Sequence, residues 1–142
     1  MKVMLGHGAF IPERAHEDDA GYDIRTPYPF VVGSHTPALG DGTATINTGV
    51  HISIPKGYVG FLKSKSGLNV KSSLTGEGVI DSGYTGAIIV KLYNHSDQEI
   101  HFDAGDKIIQ LVILPVYTPD LEVVESLETT ARGNKGFGST GR

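Results

Sequence analysis

The sequence contains no cysteine. That absence excludes disulfides, thiolate-bound zinc, iron–sulfur clusters and a cysteine nucleophile. No apolar run approaches the ~18 residues that a membrane-spanning helix needs, so no membrane partner is expected. The opening Met1-Lys2-Val3-Met4-Leu5-Gly6-His7-Gly8 is too short and too polar for a secretory signal. A cytoplasmic location is therefore the default expectation. Positive charge is scarce, with 12 basic against 16 acidic residues and a net charge of −4. Duplex-binding proteins tend to carry a basic face and a high pI. Direct nucleic-acid binding is not expected, and any anionic ligand must be small and held by local groups. The six histidines form no H-E-x-x-H and no helical i,i+4 pair, which argues against zinc catalysis. There is no G-x-x-x-x-G-K-[ST] either. Helical periodicity is nearly absent.

Glycine is plentiful instead. Nineteen glycines and seven prolines make up about 18% of the 142 residues, against roughly 12% in average usage. Glycine disfavours helix interiors and marks turns and bulges, so many short strands are expected. Val50, Ile52 and Ile54 alternate with polar residues before the Pro55-Lys56-Gly57 turn, which predicts a half-buried strand. Val59–Leu62 reads as its hairpin partner. Ala87–Tyr93 predicts another strand. Ile108–Leu114 is apolar on both faces and predicts a central strand buried on both sides. Leu121–Leu127 is the last candidate strand. One short helix is allowed over Ser66–Ser73, with Ser66 as a possible N-cap. The pattern predicts an all-β chain, an antiparallel β-sandwich or jelly roll, with no internal repeat. From Glu128 onward almost nothing is available to bury, and residues 128–142 read as a mobile C-terminal arm after a β domain over 1–127.

Five segments offer chemistry, and each has a plainer reading. In the arm, Gly136–Gly141 matches G-x-G-x-x-G, yet no helix follows it as dinucleotide binding requires. Its glycine amides, with Ser139, Thr140, Arg132 and Lys135, suit an anion, and Phe137 offers a ring for a base. The same residues read equally as an unburied tail. Lys63-Ser64-Lys65-Ser66-Gly67-Leu68 supplies cations and hydroxyls at a possible helix start, either a phosphate site or a solvated loop with a cap. In Gly76–Gly86, Asp81 opens a turn made by Ser82-Gly83, where an Asp commonly caps the turn. Tyr84 could be a core aromatic. Asp23 enters an apolar segment after the solvated run Glu17-Asp18-Asp19, and a carboxylate there needs a partner or a metal. Gln110 interrupts Ile108–Ile113 as either a structural amide or one facing a polar site.

Taken together and in order, these segments resemble the trimeric dUTP diphosphatases (dUTPases), bacterial and phage members included. The resemblance rests on Ala20–Ile24, Ser64–Leu68, Gly78–Gly86, Gly105–Leu111 and Arg132–Gly141. It implies a jelly-roll-like fold and a homotrimer whose active sites lie between subunits. One subunit supplies the groups around Asp23, Ser66 and Gln110, a second the hairpin of Asp81 and Tyr84, and a third the arm. The implied reaction converts dUTP and water to dUMP and diphosphate. Asp81 is then the catalytic base. Lys65, Ser66 and Gly67 grip phosphates. Gly78, Ile80 and Tyr84 hold the nucleoside, and Arg132, Phe137, Gly138, Ser139 and Thr140 close over it. Mg2+ is the implied cofactor, with Asp23 touching it through water and Gln110 nearby.

Two departures matter. Many members carry Pro-Arg-Ser where this chain has Ser64-Lys65-Ser66; lysine keeps the charge without the bidentate fork. The related dCTP deaminases carry a catalytic glutamate where this chain has Lys91, which disfavours deamination and the bifunctional alternative. A regulatory protein partner leaves no motif and stays open.

Overall fold

The structure is a computed structural model that describes residues 1–36 and 40–135. Among the described residues twelve strands and one helix follow one another: β1 Lys2–Leu5, β2 Gly21–Arg25, β3 Phe30–Val32, β4 His35–Thr36, β5 Gly40–Asp41, β6 Thr43–Asn47, β7 Val50–Ser53, β8 Tyr58–Lys63, α1 Ser66–Ser72, β9 Leu74–Ile80, β10 Ile89–Asn94, β11 Ile100–Phe102 and β12 Lys107–Pro115. The six-stranded sheet runs β2-β12-β8-β9-β10-β6, with the pairs β1-β7, β3-β11 and β4-β5 beside it. All these pairings are antiparallel, which gives the jelly-roll-like, all-β architecture expected. Among the described residues no helix is long and apolar enough to cross a membrane.

The core lies between the large sheet and the small ones. Ile24, Leu62, Leu74, Val90, Leu92, Ile109 and Leu111 from the former meet Val32, Val50, Ile52 and Phe102 from the latter. Burying each such side chain is worth about 1.5–3 kcal/mol. Phe30 and Phe102 stack with centroids 4.9 Å apart.

Two strand expectations are corrected. The 50–54 and 59–62 segments do not form a hairpin with each other. β7 pairs with β1, whereas β8 pairs with β12 and β9. The Pro55–Gly57 turn, with Gly57 at φ +84°, carries the chain from one sheet to the other. Ile54 then packs over Gly60, where a Cβ would lie 2.7 Å from its Cδ1. Period-two alternation marks a half-buried strand without naming its partner. The second correction concerns 121–127, which has no strand: Leu121, Val123 and Leu127 are 95%, 99% and 87% exposed. Alternation forms a strand only where a ladder partner exists, and none of the described residues supplies one.

The other expected elements are present with shifted detail. β12 is central, between β2 and β8, but only its first half is buried; Leu114 and Pro115 are exposed. The helix begins at Ser66 itself, one residue earlier than its predicted cap implies, with Lys65 as N-cap and no side-chain capping bond. It ends at Ser73, whose φ of 52° is left-handed and whose N–H donates to Asn69 O. β9 was not foreseen, because Gly76 and Gly78 resemble loop residues. Both are strand glycines, since a Cβ at Gly76 would lie 3.0 Å from Leu92 Cδ2 and one at Gly78 would lie 3.0 Å from Leu62 Cδ1.

Candidate active site

Neighbouring strands line up a polar row across one end of the large sheet. Asp23 of β2 stands opposite Gln110 of β12, Gln110 opposite Lys63 of β8, and Lys63 opposite Glu77 of β9. Facing partners share a sheet face, so four polar residues occupy one face that elsewhere carries Phe61 and Val112.

Asp23 is the most buried member, 7% exposed. It does not stand alone. Lys65 Nζ bonds its Oδ1, and Lys107 Nζ lies 2.7 Å from its Oδ2. Burial pushes the carboxyl up, but the hydrogen bonds and charges of Lys107 and Lys65 outweigh it and hold it below its ordinary 3.8. Two ammonium groups on one carboxylate leave a net positive charge, which suits an anion. The partner that the sequence demanded for Asp23 is thus a pair of lysines.

A network fixes the loop that carries Lys65. Ser64 Oγ donates to Gly76 O at 3.1 Å and accepts from Gly76 N at 2.9 Å, while Gln110 Nε2 donates to Ser64 O at 3.2 Å. Gln110 Oε1 lies over Gly21, where a Cβ would stand 2.5 Å from it. The structural reading of Gln110 is thus met by its amide nitrogen on Ser64 O, while its oxygen lies over Gly21. Ser66 and Gly67 follow in the exposed first turn of α1.

Asp81 and Tyr84 sit elsewhere. Ile80 ends β9 opposite Gly60, so Asp81 lies four residues, or ~13 Å, along the strand from Glu77. Its backbone carbonyl accepts from Tyr84 N at 3.2 Å, and Gly83 takes φ +88° in the turn. Both Asp81 and Tyr84 are exposed, so Tyr84 is not a core aromatic. Its hydroxyl donates to Ala87 O at 2.9 Å. The cations of this face, Lys63, Lys65 and Lys107, pair with Glu77 and Asp23 rather than with Asp81.

Beside Asp81 the sheet is open. The β9–β10 ladder ends at Leu92↔Gly76. Beyond it β10 pairs with β6, while Glu77–Ile80 pair only with β8 among the described residues. The β10-side edge of Gly78–Ile80 is therefore a strand edge with main-chain groups to offer.

Arg132 is exposed and donates from Nε to Lys135 O at 3.2 Å. Phe137, Gly138, Ser139 and Thr140 lie outside the described residues. A single chain thus brings Asp23, Lys65 and Gln110 together and leaves Asp81, Tyr84 and Arg132 apart from them. Sequence reasoning counted Lys63 among the cations of the Lys63–Leu68 segment and gave no role to Glu77 or Lys107. The adjacent buried residues Ile108 and Ile109 were the one trace of an irregularity beside Lys107.

Comparison with known proteins gives concordant results. A family model described as dUTPase matches residues 8–141. A deoxyuridine 5'-triphosphate nucleotidohydrolase of Kluyveromyces lactis is 40% identical over all of this chain and 94% of its own length. The dUTPase of Staphylococcus bacteriophage 80alpha, solved with dUpNHpp, superposes with a TM-score of 0.88 at 36% identity, covering 99% of this chain and 98% of that one. A mutant dUTPase from phage phi11 of S. aureus, 33% identical with a TM-score of 0.78 over 90% of this chain and 98% of that one, is described as coordinating a structural Mg(II) ion.

Proposed function

The chain belongs to the dUTPase family, and from that premise we propose how its own residues serve the reaction. It is a nucleotidohydrolase that cleaves dUTP to dUMP and diphosphate. The site is completed between copies of the chain in a homotrimer. One copy contributes Asp23, Lys65, Ser66, Gly67 and Gln110, and a second contributes the β9 edge with Asp81 and Tyr84. The arm over 128–142, with Arg132, Phe137, Gly138, Ser139 and Thr140, closes from a third. The carrying observation is the division of one sheet face. Its phosphate-type cations lie at one end, and an exposed carboxylate beside an open strand edge lies ~13 Å away along the strand.

Asp81 orients the attacking water and takes its proton, a contribution of about 10²–10⁴-fold for a positioned base. Lys65, with the Ser66 hydroxyl and the Gly67 amide, holds the phosphates. Among the described residues no group of three metal-ligating side chains exists. A single carboxylate, Asp23, and the amide of Gln110 opposite it in the β2–β12 ladder fit a hard cation that keeps its waters and is carried by phosphates. Asp23 and Gln110 would hold such waters. Bound Mg2+ would supply neutralisation of the charge on the leaving diphosphate.

The edge at Gly78–Ile80 presents uracil with complementary main-chain donors and acceptors. Cytosine reverses that pattern and leaves buried groups unpaired, a penalty of about 10⁴-fold. A thymine methyl overpacks the slot. Tyr84 lies against the deoxyribose and leaves no room for a 2′-hydroxyl. Diphosphate release from dUTP, dCTP, dTTP and UTP with Mg2+ tests the assignment; dUTP should be strongly preferred, and preference for any of the others would sink it.

A further inference from the structure

We propose that Lys107 is a positioning residue for the phosphate grip: it holds the buried Asp23 carboxylate so that Lys65 is released to the triphosphate. The inference rests on the reading of Lys65 as a phosphate ligand.

A backbone irregularity aims Lys107 at Asp23. In regular alternation Lys107 shares a face with Ile109, which is fully buried, and not with Gln110. The β12–β2 register, however, shifts between Lys107 and Ile109: Ile109 faces Ile24, yet Lys107 faces Arg25, so Ile108 is the extra residue. A bulge of this kind re-aims the side chain beside it. It turns Lys107 onto the face of Asp23 and Gln110, where its ammonium reaches Asp23 Oδ2 at 2.7 Å. Arg25, directly opposite, does not compete, because its Nη1 donates to Gly105 O at 2.7 Å.

The two lysines on Asp23 differ in how they are held. Lys107 belongs to a strand in the middle of the sheet, laddered to β2. Lys65 is the N-cap of a seven-residue helix and lies outside any ladder. Lys65 is thus the one that can swing away. If it were the sole partner of Asp23, its departure would strand a buried carboxylate, a heavily penalised state. With Lys107 on the second oxygen, Asp23 keeps a counter-ion, and moving Lys65 to a phosphate exchanges one charge-assisted bond for another.

The test measures Kd for dUpNHpp by calorimetry and kcat and KM for dUTP in the intact assembly. Lys107→Met should weaken binding and raise KM about tenfold, the worth of one charge-assisted contact, with kcat changed by less than about threefold. Lys107→Arg should restore most of the loss. In an Asp23→Asn background, Lys107→Met should add nothing, since no carboxylate remains to be held. Unchanged Kd and KM in Lys107→Met would overturn the proposal. So would an equal loss in both backgrounds, which would mean that Lys107 touches phosphate directly. Should Lys107→Met fail to fold, the comparison of Asp23→Asn with Asp23→Asn/Lys107→Met decides by the same criterion. Lys65→Met separates the two levels. If it leaves Kd unchanged, the phosphate-grip reading fails and takes the proposal with it. If it weakens binding while Lys107→Met does not, only the role of Lys107 fails.

Discussion

Replacing Gly86 with alanine probes the proposed nucleoside pocket through one methyl group. A Cβ there would lie 2.4 Å from Tyr84 Oη, 2.5 Å from Cζ and 2.9 Å from Cε2. Gly86 is not among the glycines with positive φ, so the added strain comes from the ring and not from the backbone. Tyr84 must swing away, breaking its 2.9 Å bond to Ala87 O. A neutral hydrogen bond at an exposed site is worth about 0.5–1.5 kcal/mol. For a domain of this size that lowers Tm by only about 2–6 °C. With Tyr84 placed against the sugar as proposed, the functional effect should be larger, because the displaced ring would open space for a 2′-hydroxyl. The ratio of kcat/KM for dUTP over UTP should fall about tenfold or more. The assay is diphosphate release from both nucleotides, with thermal unfolding in parallel. A Tm drop within the stated range and an unchanged dUTP/UTP ratio would refute the placement of Tyr84 against the sugar. A much larger loss of stability would instead make the ring part of the fold's support.

Three further outcomes are expected. Asp81→Asn should lower kcat by at least about 10² while dUpNHpp still binds; a variant as active as the parent would remove Asp81 as the base. Deleting residues 132–142 should abolish turnover and leave the assembly intact by light scattering, whereas dissociation would make the segment structural. Asp23 carries a pH signature: its folded value lies below 3.8, so its ion pairs stabilise fully above that pH. The stabilisation is lost as pH falls below 3.8 through the folded value. Unfolding followed across this range should show an acid limb that is shallower in Asp23→Asn, and identical limbs would contradict the ion-pair geometry.

Much of the candidate site was legible because its parts are local. Asp81 opening a turn at Ser82-Gly83, a short helix after Ser64-Lys65, and Gln110 inside an apolar strand each follow from a few neighbouring residues. The β9 strand was hidden by its own glycines, whose reason is packing against Leu62 and Leu92 from other strands. The hairpin expected between 50–54 and 59–62 fails for the same reason. Alternation encodes which side chains face inward, while the choice of partner depends on the whole sheet. The burial demand of Asp23 was visible in the sequence, but its answer, Lys65 and Lys107, was not.

The sequence by itself determined a cysteine-free, glycine-punctuated chain of short strands, because turn chemistry and hydrophobic period are set by near neighbours, and its resemblance to the family named the groups proposed to handle a nucleotide. Tertiary structure alone decided which groups share a face. The register of β2, β12, β8 and β9 gathers Asp23, Gln110, Lys63 and Glu77 into one row, and a single extra residue in β12 turns Lys107 toward the carboxylate. Register is a long-range property: one residue of slip moves every later side chain to the opposite face of the sheet.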